Sequence, residues 1–66
     1  MSKRPLIGIT AFETKHLRPP HAPLYATGQR YVRAIEDAGG LPVILSPALT
    51  NDTLRAVFDR LDGLLL

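Results

Sequence analysis

The sequence has no cysteine and no tryptophan, and only two histidines in 66 residues. The missing cysteine excludes a disulfide staple and any thiolate zinc site. It is what a reducing, cytoplasmic setting leads one to expect. His16 and His21 are too few to hold a structural metal without carboxylate help. No apolar run approaches the roughly 20 residues of a membrane span. The opening MSKRPLIGIT lacks the long apolar core and small-residue cleavage site of a signal peptide. Charge of one sign is also sparse, with eight basic residues against six acidic ones and a net charge of +2. Lys3, Arg4, Lys15 and Arg18 make the first eighteen positions mildly basic, with Glu13 the one acid among them. That is far from the dense basic face of a nucleic-acid binder. Neither a nucleic acid nor a membrane is expected as a partner.

What is present is apolar segments separated by turn signals. Pro5–Thr10, PLIGIT, is apolar throughout and carries β-branched residues, the composition of a strand covered on both faces. Ala11–Pro23 holds three prolines, both histidines and mixed charges without periodicity, and reads as a loop. A loop of this length is more often functional than ornamental. Leu24, Gly28, Tyr31, Val32, Ile35 and Ala38 then fall at the three-and-four spacing of one helical face. Thr27 is a candidate N-cap, with an earlier start after Pro23 as the alternative. Gly39 suits a left-handed helix stop, and Gly40 a sharp turn.

Leu41–Leu45 is a second apolar strand, with Pro42 near its start and Pro47 closing it. A second helix is signalled by Asn51 or Thr50 as cap and Asp52 in the first turn. Leu54, Val57, Phe58 and Leu61 form its expected buried stripe, Asp62-Gly63 its end, and Leu64–Leu66 a third strand. The order strand, helix, strand, helix, strand implies a parallel sheet with right-handed crossovers, the α/β doubly wound class.

Two helices cannot cover both faces of such a sheet, and a chain of about this size buries only about 60% of its unfolded surface. The expectation is therefore that residues 1–66 are the N-terminal part of a single larger domain, and that open strand edges favour association into homo-oligomers.

The motif string is Arg4-Pro5-Leu6-Ile7-Gly8-Ile9-Thr10, then Tyr31-Val32-x-Ala34-Ile35-Glu36-x-Ala38-Gly39-Gly40-x-Pro42-Val43, then Leu61-Asp62-Gly63-Leu64-Leu65-Leu66. In order and spacing it resembles the start of the γ-glutamyl hydrolases of the class I glutamine amidotransferase-like superfamily. The branch acting on γ-glutamyl-γ-aminobutyrate is the most similar. The resemblance implies a flavodoxin-like α/β/α sandwich that hydrolyses a γ-glutamyl amide of a small molecule in the cytoplasm, without a cofactor. It implies a cysteine nucleophile with a histidine and an acid, all beyond Leu66, so that no catalytic residue lies in these 66. It also implies that the chain stops just before a glycine-rich turn of the oxyanion site, and is inactive alone.

The resemblance carries one site residue over, Tyr31, as a substrate-binding phenol at the edge of the active site. The competing reading of Tyr31 is a ring packed on the sheet from the apolar stripe. His16 and His21 read as solvated loop residues. Gly39-Gly40 lacks the GxGxxG context of a phosphate site and reads as a helix stop. Glu36 and Asp37 are adjacent helix positions that point apart, which suits a solvated face better than a catalytic pair. Arg30 and Arg33 read as surface charge. The Ala11–Pro23 region, following the first strand, is placed to shape a substrate mouth.

A different class shares the element order. The effector-binding domains of lactose-repressor-like regulators also run strand, helix, strand, helix into an Asp-Gly-Leu-Leu-Leu phrase, and would bind a sugar or nucleoside without chemistry. The Ala-Gly-Gly-x-Pro-Val run suits the hydrolases better, and the loop after the first strand lacks the Asn-Pro-aromatic phrase of the regulators.

Overall fold

A computed structural model describes residues 3–66. Its elements are β1 (Leu6–Thr10), β2 (Phe12–Lys15), β3 (Pro23–Ala26), α1 (Gln29–Asp37), β4 (Leu41–Leu45), α2 (Asn51–Phe58) and β5 (Gly63–Leu65). β1, β4 and β5 form a parallel sheet in the order β4-β1-β5, and β2 and β3 form a separate antiparallel pair. This is a partial flavodoxin-like α/β arrangement, as the alternation of elements predicts.

β1 is central because it is apolar along its whole length and can be covered on both faces. Leu6 to Thr10 pair in register with Leu41 to Leu45 on one edge, and Ile7 to Ile9 with Gly63 to Leu65 on the other. Register partners in a parallel pair share a face, and faces alternate along the strand. Ile7, Ile9, Ile44 and Leu65 therefore lie on one side, and Gly8, Val43, Leu45 and Leu64 on the other. α1 packs over β4 and β1. Its Ile35 reaches the Ile7 side: a Cβ placed on Gly40 would meet Ile35 Cγ2 at 2.8 Å and Ile7 Cγ1 at 3.2 Å. Leu61 closes on the opposite side, 2.7 Å from where a Gly8 Cβ would sit. Glycine at 8 is thus what lets Leu61 and Leu45 approach the middle of the sheet.

Ile9 and Leu45 are the buried hydrophobic residues, at 2% and 7% exposure. Ile44 on the α1 side is 56% exposed and Leu64 on the other 43%, so neither face is fully covered by the described residues. No helix is long and apolar enough to cross a membrane among the described residues.

Four local expectations are corrected. Ala11–Pro23 is not a plain loop, because Phe12 to Lys15 pair with Ala26 to Pro23 as a hairpin. Leu24 lies in that hairpin and not on the first helix, although its spacing to Gly28 and Tyr31 is helical. Thr27 does not cap α1: the N-cap is Gly28, extended at φ −71° and ψ 136°, without a side-chain cap bond. α2 ends at Phe58 with Asp59 as C-cap, so Leu61 lies beyond the helix and Asp62-Gly63 is the entry to β5. The expected stripe of α2 is only half-buried at Leu54 and Val57, and Phe58 is exposed.

The remaining signals match. Thr50 caps α2 by accepting from the Thr53 N–H at 3.4 Å. Gly39 adopts φ +95° after α1. The Gly39 N–H donates to Glu36 O at 3.0 Å and the Gly40 N–H to Ile35 O at 2.9 Å, the paired bonds of a Schellman stop.

Candidate functional site

Tyr31 lies in the first turn of α1, where its N–H donates to Gly28 O at 3.1 Å. Its ring lies back over Gly28. A Cβ at residue 28 would stand 3.2 Å from both Cδ2 and Cε2 of the ring. Tyr31 is 55% exposed among the described residues. It borders a cleft of about 240 Å³.

The floor of that cleft is made by the carboxyl ends of β1 and β5, through Ile9, Thr10, Leu65 and Leu66. Ala11 and Phe12, which leave β1, line it as well, as do Thr27 and Tyr31 on either side of the start of α1. The carboxyl ends of the strands are where open α/β sheets place ligands. Among the described residues, the hydroxyl-bearing Thr10, Thr27 and Tyr31 line the cleft and no charged side chain does.

The other sequence candidates stand apart from this cleft. His16 and His21 close the turn of the β2–β3 hairpin. His16 Nδ1 accepts from the Arg18 N–H at 3.1 Å, and His21 Nδ1 lies 3.0 Å from His16 O. His21 has φ 58°, a left-handed conformation held by its N–H bond to Arg18 O at 2.9 Å. Both rings are exposed, and their contacts are those of a loop that closes on itself. Glu36 and Asp37 are exposed in the last turn of α1. Arg30 and Arg33 are exposed on the same helix. Among the described residues, no group of three His, Cys, Asp or Glu side chains could hold a metal ion.

Phe12 and Thr27 are the lining residues that sequence reading passes over. Of the Ala11–Pro23 region, expected to shape a substrate mouth, Ala11 and Phe12 line this cleft among the described residues. Their signal is positional: they are the first residues past the carboxyl end of the central strand. Thr27, a candidate cap by sequence, lies one residue before the true cap Gly28 and lines the cleft.

The geometry can be set beside known proteins. A family model described as Peptidase C26 matches residues 5–66. No curated protein and no solved structure matches the chain. The matched span takes in the whole motif string except Arg4, and with it the pattern that distinguishes the hydrolases from the sugar-binding regulators. The chain belongs to the Peptidase C26 family, a class I glutamine amidotransferase-like family of hydrolases that includes the γ-glutamyl hydrolases.

Proposed function

We propose that these residues form the first part of a γ-glutamyl amide hydrolase, of the kind that cleaves γ-glutamyl-γ-aminobutyrate. The observation that carries this reading is the position of Tyr31. It borders a cleft at the carboxyl ends of β1 and β5 in a chain of the Peptidase C26 family.

In this reading a cysteine thiolate attacks the γ-amide carbonyl, and the oxyanion is held by backbone N–H groups. Collapse of the tetrahedral intermediate breaks the C–N bond as a histidine protonates the departing amine. Water then cleaves the thioester and releases glutamate. The 66 residues hold no cysteine, so the thiol comes from outside them. Their contribution is the central strand, one wall of the substrate cleft, and the Tyr31 hydroxyl as a hydrogen-bonding group for substrate.

The test is amine release from γ-glutamyl-γ-aminobutyrate by the full gene product and by the 66-residue polypeptide. The full product should turn over and lose activity on thiol alkylation, and the short polypeptide should be inactive. Turnover by the short polypeptide, or turnover indifferent to alkylation, would overturn the reading.

A further inference from the structure

We infer that the tip of the β2–β3 hairpin is a pH-sensitive clasp, controlled by His16 and indifferent to the charge of His21. Every bond involved lies within residues 16–22, and none depends on the γ-glutamyl reading.

A backbone N–H can only donate, so the His16 Nδ1 that accepts from the Arg18 N–H at 3.1 Å carries no proton. The His16 ring in this arrangement is neutral, with its proton on Nε2. A carbonyl can only accept, so the His21 Nδ1 that lies 3.0 Å from His16 O does carry a proton. That bond is open to the neutral Nδ1–H tautomer and to the imidazolium alike. The two rings therefore answer acid in opposite ways. A proton added to His16 Nδ1 sets one donor against another and abolishes the bond to Arg18. A proton added to His21 leaves its bond in place.

Arg18 is the link between the two histidines. Its N–H is held by the His16 ring, and its carbonyl accepts from the His21 N–H at 2.9 Å. His21 stands at φ 58°, a region that residues other than glycine enter rarely. Acid therefore removes one of the bonds that fix Arg18, the residue whose carbonyl holds His21 in that conformation. The His16 N–H bond to Ala22 O at 2.9 Å uses the backbone alone, so the hairpin stays closed below the tip. Among the described residues, β2 and β3 pack on each other. Lys15 and Arg18 flank His16 in the chain, and Glu13 and Tyr25 are the other ionisable groups of the two strands. Of these side-chain types, histidine alone ordinarily changes charge between pH 5 and 8. The clasp is thus closed while His16 is neutral and opens as pH falls through its titration.

The experiment is an NMR titration of the full gene product from roughly pH 8 to pH 5. Ring nitrogen shifts at the alkaline end should place the His16 proton on Nε2 and the His21 proton on Nδ1. The Arg18 amide proton should move upfield with the midpoint of the His16 ring, and its exchange protection, corrected for intrinsic rate, should fall about fivefold. His16→Asn supplies an oxygen that accepts from the same N–H in an Asx turn, and should hold the tip at every pH. His16→Phe should leave the Arg18 N–H unprotected throughout. His21→Asn, which also enters the left-handed region, should keep the pH response. An Arg18 amide that ignores His16 or follows His21, or a pH response retained in His16→Asn, would overturn the inference. The titration of the unmodified protein decides the matter even where a variant fails to fold, and no outcome turns on hydrolysis of a γ-glutamyl amide.

Discussion

Leu6 and Asp62 are hydrogen-bonded to each other twice. The Leu6 N–H donates to Asp62 Oδ2 at 2.7 Å, and the Asp62 N–H donates to Leu6 O at 2.8 Å. The first residue of the central strand is thereby joined to the residue that leads into β5, one step before the Ile7–Gly63 pairing begins. A carboxylate satisfies a backbone donor that the short third strand does not reach.

Removing that acceptor should destabilise the sheet. The bond lies at the surface, so Asp62→Ala is expected to cost about 1 kcal/mol, within the usual range for a hydrogen bond. Asp62→Asn keeps an acceptor oxygen and should recover much of the loss. The midpoint of urea unfolding, compared at constant slope, measures both. Equal midpoints for Asp62→Ala and the unmodified chain would show that the pair contributes nothing.

A second tie runs from Arg4 to the turn after α1. Its Nε donates to Gly39 O at 3.1 Å and its Nη2 to Gly40 O at 2.9 Å. The guanidinium thus bonds two carbonyls of the turn just past the C-cap of α1 and holds that turn against the start of β1. Lysine has the charge but not the two-pronged geometry. Arg4→Lys should therefore lose stability nearly as Arg4→Met does, by about 1 kcal/mol. Amide exchange at Gly40, whose N–H bonds to Ile35 O, should quicken in both variants.

How far the sequence discloses this molecule depends on whether a residue's partner is near it in the chain. β4 runs over Leu41–Leu45, as its unbroken apolar run predicts. Gly39 stops α1 in the left-handed region its position requires. Both are local effects, one of burial and one of backbone freedom. The hairpin is not local. Phe12 meets Ala26 across a turn containing Pro19 and Pro20, and Pro23 stands in β3, so the prolines there argue against a strand even though Phe12, Thr14 and Tyr25 favour one. Leu24 shares helical spacing with Tyr31 by coincidence, and pairing with Thr14 overrides it. The same holds at the site. Phe12 follows the end of β1 closely enough to be placed by position, whereas Thr27 reaches the cleft through the hairpin.

The two glycines after α1 should respond differently to alanine. At Gly39 a Cβ would meet nothing within 4 Å, but φ is +95°, so the penalty is one of backbone strain, roughly 1–2 kcal/mol. At Gly40 a Cβ would stand 2.8 Å from Ile35 Cγ2 and 3.3 Å from Ile35 O. That penalty is steric and displaces α1 from Ile7, costing about 1–3 kcal/mol. Gly39→Asn should therefore be tolerated better than Gly39→Ala, since asparagine enters the left-handed region more readily, while Gly40→Asn should be worse than Gly40→Ala. Melting temperatures of the four variants separate the two mechanisms, and a common order at both positions would refute them.

Gly28 gives a way to move Tyr31 without changing it. The ring carbons Cδ2 and Cε2 stand 3.2 Å from the position of a Cβ at residue 28, tighter than ordinary packing. Residue 28 has φ −71° and ψ 136°, which alanine adopts without strain. Gly28 is the N-cap of α1, so Gly28→Ala should cost about 1 kcal/mol of stability and still leave the chain folded. Its effect falls on the ring, which must swing away from the N-terminus of α1. If the Tyr31 hydroxyl bonds substrate, Gly28→Ala and Tyr31→Phe both remove one hydrogen bond, worth about 0.5–1.5 kcal/mol or up to roughly tenfold in kcat/KM. Because the two changes act on one contact, the double variant should lose no more than the worse single one. Losses that multiply would mean that residue 28 acts on the cleft independently of the phenol, and an unchanged kcat/KM in Tyr31→Phe would leave Tyr31 a packing residue alone.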